Sequence, residues 1–208
     1  MRKDEFTEHP IPRARVAVLA CGALAADVVE VVRRLALPVD VAGVSALDHL
    51  EPARLVADVD ARLGVLCASY DRVVVVYGDC GTGGRLDEVI ARHPAVRPAG
   101  VHCYEWFAGN DFARITAQQP GTYFLTDWLV RNWDLAVVHG LGLDRYPWLK
   151  DTYFRHLTHL LYLQQHPGLE AQAQQIADYL GLPLEIRLTG TDPIEGILVG
   201  LLGTDAAS

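Results

Sequence analysis

Cysteine is the residue type with the most distinctive chemistry in this 208-residue chain, and it occurs at Cys21, Cys67, Cys80 and Cys103. Three of these follow runs that read as strands: Cys21 after VAVLA, Cys80 three residues after VVVVY, and Cys103 after RPAGVH. In an open parallel sheet, ligands collect in the crevice beyond the carboxyl ends of the strands. If the three strands are parallel, the three thiols share one edge of the sheet. Thiols form a soft ligand set, suited to zinc, copper(I) or an iron–sulfur cluster rather than to magnesium or calcium. Zinc on three thiolates leaves one tetrahedral position for water, a substrate thiol or a fourth protein ligand. His49 and His102 are the histidines near enough in the pattern to supply it. Neighbours on an extended strand point to opposite faces, so His102 and Cys103 cannot both face the site if the strand runs to Cys103. Cys67, at the end of a helical segment, reads as a small core hydrophobe.

The turn Gly78-Asp79-Cys80-Gly81-Thr82-Gly83-Gly84 lies between a strand and a helix. Exposed N–H groups at a helix start suit an anion. The pattern is neither a dinucleotide fingerprint nor a P-loop, and Asp79 opposes an anion. The alternative role for the glycines is to bend the chain tightly around Cys80. Gly22, Gly81, Thr82 and Gly83 are the candidate cofactor-binding positions. Glu105 and Asp127 are candidate general acids or bases, with an N-cap or surface carboxylate as the alternative for each. Trp106, Phe107, Tyr123, Phe124 and Trp128 cluster after the third cysteine. They would wall a cavity, fill core, or form a subunit contact, which leaves a homo-oligomer open.

Elements that could position these residues alternate over the first hundred positions. Strands are expected at Val16–Ala20, Val39–Val44, Val73–Tyr77 and Arg97–His102. Helices are expected at Ala25–Leu35, Pro52–Leu66 and Leu86–Arg92. This predicts a single α/β domain over residues 14–208, three-layered and Rossmann-like, with a mainly parallel sheet. Residues 1–13 read as a polar arm. The second half is expected to be mostly helical, with helices at Trp148–Gln165, Glu170–Leu180 and Pro193–Leu202. Thr122–Thr126 reads as a short strand or the start of a helix, and Leu184–Leu188 as a further strand.

Composition narrows the classes. Half of the residues are hydrophobic and 21% are charged, enough apolar content for a sizeable core. The formal net charge of −8 argues against nucleic acid as a partner. No apolar run approaches the roughly 20 residues of a membrane span. Leu19-Ala20-Cys21 imitates a lipoprotein cleavage box. However, only Val16–Ala20 separates Arg15 from Cys21, against the roughly 7–15 apolar residues that a signal segment needs. A cytoplasmic protein with reduced thiols is expected.

Four motifs in combination carry a family resemblance: ACGAL at Ala20–Leu24, YGDCG at Tyr77–Gly81, HCYEWFAG at His102–Gly109 and PGTYFLT at Pro120–Thr126. The chain resembles the bacterial and archaeal family called domain of unknown function 1638, over roughly Val16 to Leu202. The resemblance implies that Cys21, Cys80 and Cys103 are family cysteines. It also implies that His49, ahead of the helix opened by Pro52, is a recurrent feature. His102 departs from the family pattern, which has an acidic residue before the cysteine. Family members beside genes for corrinoid-dependent methyl transfer imply one-carbon or thiol chemistry.

The expectation is therefore a metal-binding protein. Its single centre, zinc in first place or an iron–sulfur cluster, sits on Cys21, Cys80 and Cys103, with His49 as a fourth ligand or beside it. Its chemistry would be activation of a small-molecule thiol, or methyl transfer in the manner of a metal-dependent methyltransferase, with a corrinoid protein as partner. The rivals are a non-catalytic accessory protein carrying a metal, a corrinoid or an anion, and a thiol-redox protein pairing Cys21 with Cys80.

Overall fold

A computed structural model describes residues 15–203; the expected arm over 1–13 lies outside the described residues. Strand β1 (Val16–Cys21) leads to helix α1 (Ala25–Arg34) and strand β2 (Val39–Val44). A 3-10 turn at Ala46–Leu50 then enters α2 (Pro52–Leu66), followed by β3 (Arg72–Val76), α3 (Arg85–Ile90) and a two-residue β4 (Ala95–Val96). These four strands form one parallel sheet in the order β2-β1-β3-β4. Short helices α4 (Cys103–Ala108) and α5 (Asp111–Gln118) carry the chain to β5 (Thr122–Thr126). Next come α6 (Asp127–Arg131), a π-helical turn at Asp134–His139, α7 (Leu149–Phe154) and β6 (His159–Gln164). The described chain ends with α8 (Glu170–Leu180), β7 (Leu184–Leu188) and α9 (Asp192–Gly203). Strands β5, β6 and β7 make a second parallel sheet.

The class is α/β with parallel strands, as the alternation predicts. The strands divide between two sheets, however, and the second half contributes three of them. The segment read as one helix from Trp148 to Gln165 is a short helix followed by β6. Its apolar run HLLYLQ is buried on both faces, with Leu161 and Leu163 in one core and Leu160 and Tyr162 in the other. A run apolar on every side matches helical and strand spacing equally, so periodicity alone does not separate the two. The strand expected at Arg97–His102 is a loop: Gly100 takes φ +137°, and Arg97 turns its guanidinium onto the carbonyls of Pro98 and Gly100.

Buried faces explain the first sheet. All of Val73–Val76 is inaccessible to solvent, as suits a central strand covered by helices on both sides. Helix α1 buries Val28 and Val31, and α2 buries Leu55, Val59 and Leu63 at fourfold spacing. Helix α9 returns from the second sheet to the first core, where Ile194 and Leu198 are fully buried, and it packs beside α1 and α4. The carboxyl ends of both sheets thereby contribute to one crevice.

Candidate functional site

Cys21 is the last residue of β1 and is buried; Cys80 lies in the loop after β3; Cys103 is the first residue of α4. Their backbones meet because two glycines permit it. A Cβ on Gly22 would stand 2.7 Å from both the Ala46 nitrogen and the Val44 oxygen. One on Gly78 would stand 3.0 Å from the His102 Cα and 3.1 Å from the Cys103 nitrogen. The turn at 78–80 lies along the loop before α4, with the Cys80 N–H donating to the Val101 carbonyl at 2.8 Å. Cys80 itself adopts φ +47°, a left-handed conformation that a residue with a Cβ rarely takes.

Burial sets the state of all three thiols, and neighbouring thiols add to it at Cys21 and Cys103. Burial pushes Cys21 up to about 12, against opposing hydrogen bonds from the Ala23 backbone and the Tyr77 hydroxyl, and the neighbouring Cys80 raises it further. Burial pushes Cys80 up to about 11. The Cys103 N–H and the Arg97 charge work against that rise, while Asp79 adds to it. Cys103 is raised well above the ordinary thiol value by burial, then by Cys80 and Cys21. All three are neutral thiols at pH 7 and poor nucleophiles as they stand. Among the described residues, no three Cys, His, Asp or Glu side chains form a ready-made metal-ligand set. By donor type the trio suits a soft cation that displaces thiol protons, and binding one requires the thiols to draw together.

His49 projects from the 3-10 turn after β2. Its Nδ1 lies 2.7 Å from the Ala46 carbonyl oxygen and 3.2 Å from the Tyr77 hydroxyl, and its ring stacks on Tyr77 at a centroid distance of 5.3 Å. A carbonyl only accepts, so Nδ1 carries the proton and Nε2 the lone pair. Burial depresses the His49 pKa, keeping the imidazole neutral. Tyr77, fully buried, thus connects His49 with Cys21. Sequence reasoning passed over Tyr77 although a signal was present, since it is the lone polar side chain closing VVVVY. It also passed over Asp48. That residue is 3% exposed, its Oδ1 is 3.5 Å from the Arg54 Nε, and its Oδ2 has no hydrogen-bond partner among the described residues.

The remaining candidates have structural duties. Asp79 accepts hydrogen bonds from the Thr82 hydroxyl, the Gly83 N–H at 3.0 Å and the Gly84 N–H at 2.9 Å. The loop's donors at Gly83 and Gly84 are therefore turned onto its own carboxylate, and Gly81 and Gly83 supply left-handed turns. Thr82 is buried and also accepts from the Leu86 N–H at 3.3 Å. Glu105 reaches back from the first turn of α4 to the Val101 N–H at 2.9 Å, bracing the loop that carries Cys103. Asp127 is 2% exposed and takes hydrogen bonds from the Tyr162 hydroxyl and the N–H groups of Gln165 and His166 at 2.6–2.9 Å, locking the end of β5 to the end of β6. His102 is the N-cap residue of α4. Cys67 follows α2 and packs against the first core, where burial raises its thiol.

A cavity of about 210 Å³ opens beside Cys103, lined from both halves of the molecule by His49, Leu50, Tyr104, Tyr123, Thr126 and Trp128 among others. It lies where the ends of β1, β2 and β5 converge, the position that open parallel sheets reserve for ligands. The sequence matches the family model described as a protein of unknown function, DUF1638, over residues 45–198. The chain belongs to this family. The match takes in His49, Cys80, Cys103 and the cavity walls from Ala46 onward; it is narrower than the expected Val16–Leu202, and Cys21 and Gly22 lie outside it. No curated protein matches this DUF1638 chain. None of the helices among its described residues is long and apolar enough to cross a membrane.

Proposed function

We propose that this chain holds one thiophilic metal ion, zinc in first place, on Cys21, Cys80 and Cys103, and binds a small-molecule thiol at the open fourth position. The observation that supports this reading is the convergence of three cysteines from distant parts of the chain: Cys21 ends β1, the Cys80 turn hydrogen-bonds to the Val101 carbonyl, and Gly78 packs against the Cys103 nitrogen. Zinc supplies positive charge that lets a coordinated thiol exist as thiolate at neutral pH. The chain's own residues do the rest. Gly22 and Gly78 let the backbones approach, Tyr77 hydrogen-bonds to Cys21, and His49 lines the same cavity as Cys103 with a lone pair on Nε2. The loop 79–84 takes positive φ at Cys80, Gly81, Gly83 and Gly84 and is the segment that would adjust as the thiols close. Methyl transfer to such a thiolate is the reaction that the family resemblance implies, with a corrinoid protein as donor.

Elemental analysis of protein purified without air tests this. About one zinc per chain is expected in the native protein, with loss of metal in folded Cys80→Ser and retention in Cys67→Ser. Iron with visible thiolate–iron absorption would replace zinc by a cluster. A folded native chain that takes up neither metal on reconstitution would overturn the proposal.

A further inference from the structure

We propose that the 210 Å³ cavity is a subsite for a small uncharged molecule with an apolar body and one hydrogen-bond donor, the donor meeting His49 Nε2. This deepens the preceding proposal by naming the class of molecule held beside the open metal position. Size sets the first limit, because a cavity of roughly 150 Å³ accepts benzene. This one admits a six-membered ring with one or two further heavy atoms, or an aliphatic chain of similar bulk.

Wall chemistry sets the second limit. The lining is mainly apolar, with Leu47, Leu50, Leu129, Val137 and the rings of Tyr104 and Trp128 among it, and among the described residues no Asp, Glu, Lys or Arg lines it. An ionised ligand would lose its hydration there without a counter-charge. The third limit is polarity: Cys103, Tyr104, Tyr123 and Thr126 also line the cavity, and His49 is its one imidazole. His49 lines the cavity, its Nδ1 proton is committed to the Ala46 carbonyl, and stacking on buried Tyr77 fixes the ring plane. Nε2 is then an acceptor with no hydrogen-bond partner among the described residues, in a space it shares with Cys103. An acceptor so placed prefers a ligand that brings an O–H or S–H.

Calorimetric titration of the full chain, after chelation to remove metal, with phenol, anisole and benzoate tests the assignment. Phenol is expected to bind about tenfold more tightly than anisole, the scale of one hydrogen bond. Benzoate is expected to bind more weakly than either. His49→Phe keeps the stacked ring and removes the acceptor, so the preference for phenol should vanish while anisole binding persists. Ala136→Leu, which adds bulk to the wall, should weaken both neutral probes. Equal affinities for phenol and anisole in the native chain, a phenol preference that survives His49→Phe, or benzoate binding at the level of phenol would each overturn the proposal. Because the titration is done without metal, the two proposals fail separately: zinc uptake without probe binding removes the subsite alone, and probe binding without zinc uptake removes the metal alone.

Discussion

Cys80 is the residue at which function and stability pull apart. At φ +47° it occupies backbone territory natural to glycine, beside glycines that do the same at 81, 83 and 84. A left-handed residue with a Cβ carries a strain of about 1–2 kcal/mol. Glycine at this position would be relaxed, so retention of a thiol there is consistent with a use for the sulfur. Cys80→Ala and Cys80→Gly both remove the sulfur, and the Ala variant keeps the strain. The Gly variant is expected to be more stable than the Ala variant by about 1 kcal/mol in urea unfolding, with metal uptake lost in both. Equal stabilities would mean that the left-handed turn costs nothing and that strain has no part in holding Cys80. Cys21 and Cys80 were legible in the sequence, because each stands after an unmistakable apolar run, whereas Cys103 follows a segment read as a strand that is a loop. The partners that tune them were not. Tyr77 reaches Cys21 and His49 through tertiary geometry, and no spacing rule encodes a contact between residues 28 apart.

Among the elements, α1 and the end of β6 meet through a partly buried polar contact. Asp27, in the first turn of α1, lies 3.3 Å from the His166 Nε2 just past the end of β6, and Glu30 lies 3.4 Å from the same nitrogen. Burial lifts the Asp27 carboxyl to about 6; the hydrogen bond and charge of His166 oppose the rise, and Asp127 and Glu30 add to it. The folded state therefore binds this proton more tightly than the unfolded chain, whose carboxyl titrates near 3.9. The stabilisation is fully present below about pH 4 and is lost as pH rises through about 6, at most about 3 kcal/mol. Asp27→Asn removes the titration, so the variant should lose less stability than the native chain between pH 4.5 and 7.5, as urea midpoints would show. Parallel pH profiles would assign the slope to other groups. The helix expected over Trp148–Gln165 hid the strand that delivers His166. The strands with alternating helices around them were recovered almost to the residue. The misread segments were the all-apolar one and β4, where two paired residues leave too little pattern to see.

At the scale of the whole molecule, two sheets with separate cores are tied together by elements that belong to both. Strand β6 turns Leu161 and Leu163 toward the first core and Leu160 and Tyr162 toward the second. Helix α9, reached only after β7, inserts Ile194 and Leu198 among residues of the first sheet, and Arg34 of α1 pairs with Glu195 at 2.6 Å. The crevice with the thiols and the cavity exists only while this closure holds, since its walls come from both halves. Leu198→Ala would empty a fully buried site and cost about 3 kcal/mol, within the range for buried leucines. If the halves are one cooperative unit, amide exchange protection in β1 and β3 of the first sheet and in β5 of the second should fall by the same free energy. Phenol affinity at the cavity should be retained as long as the chain is folded. Loss of protection confined to the first sheet would show that the second folds without it, and that the crevice forms by docking of independent halves rather than by folding of the whole.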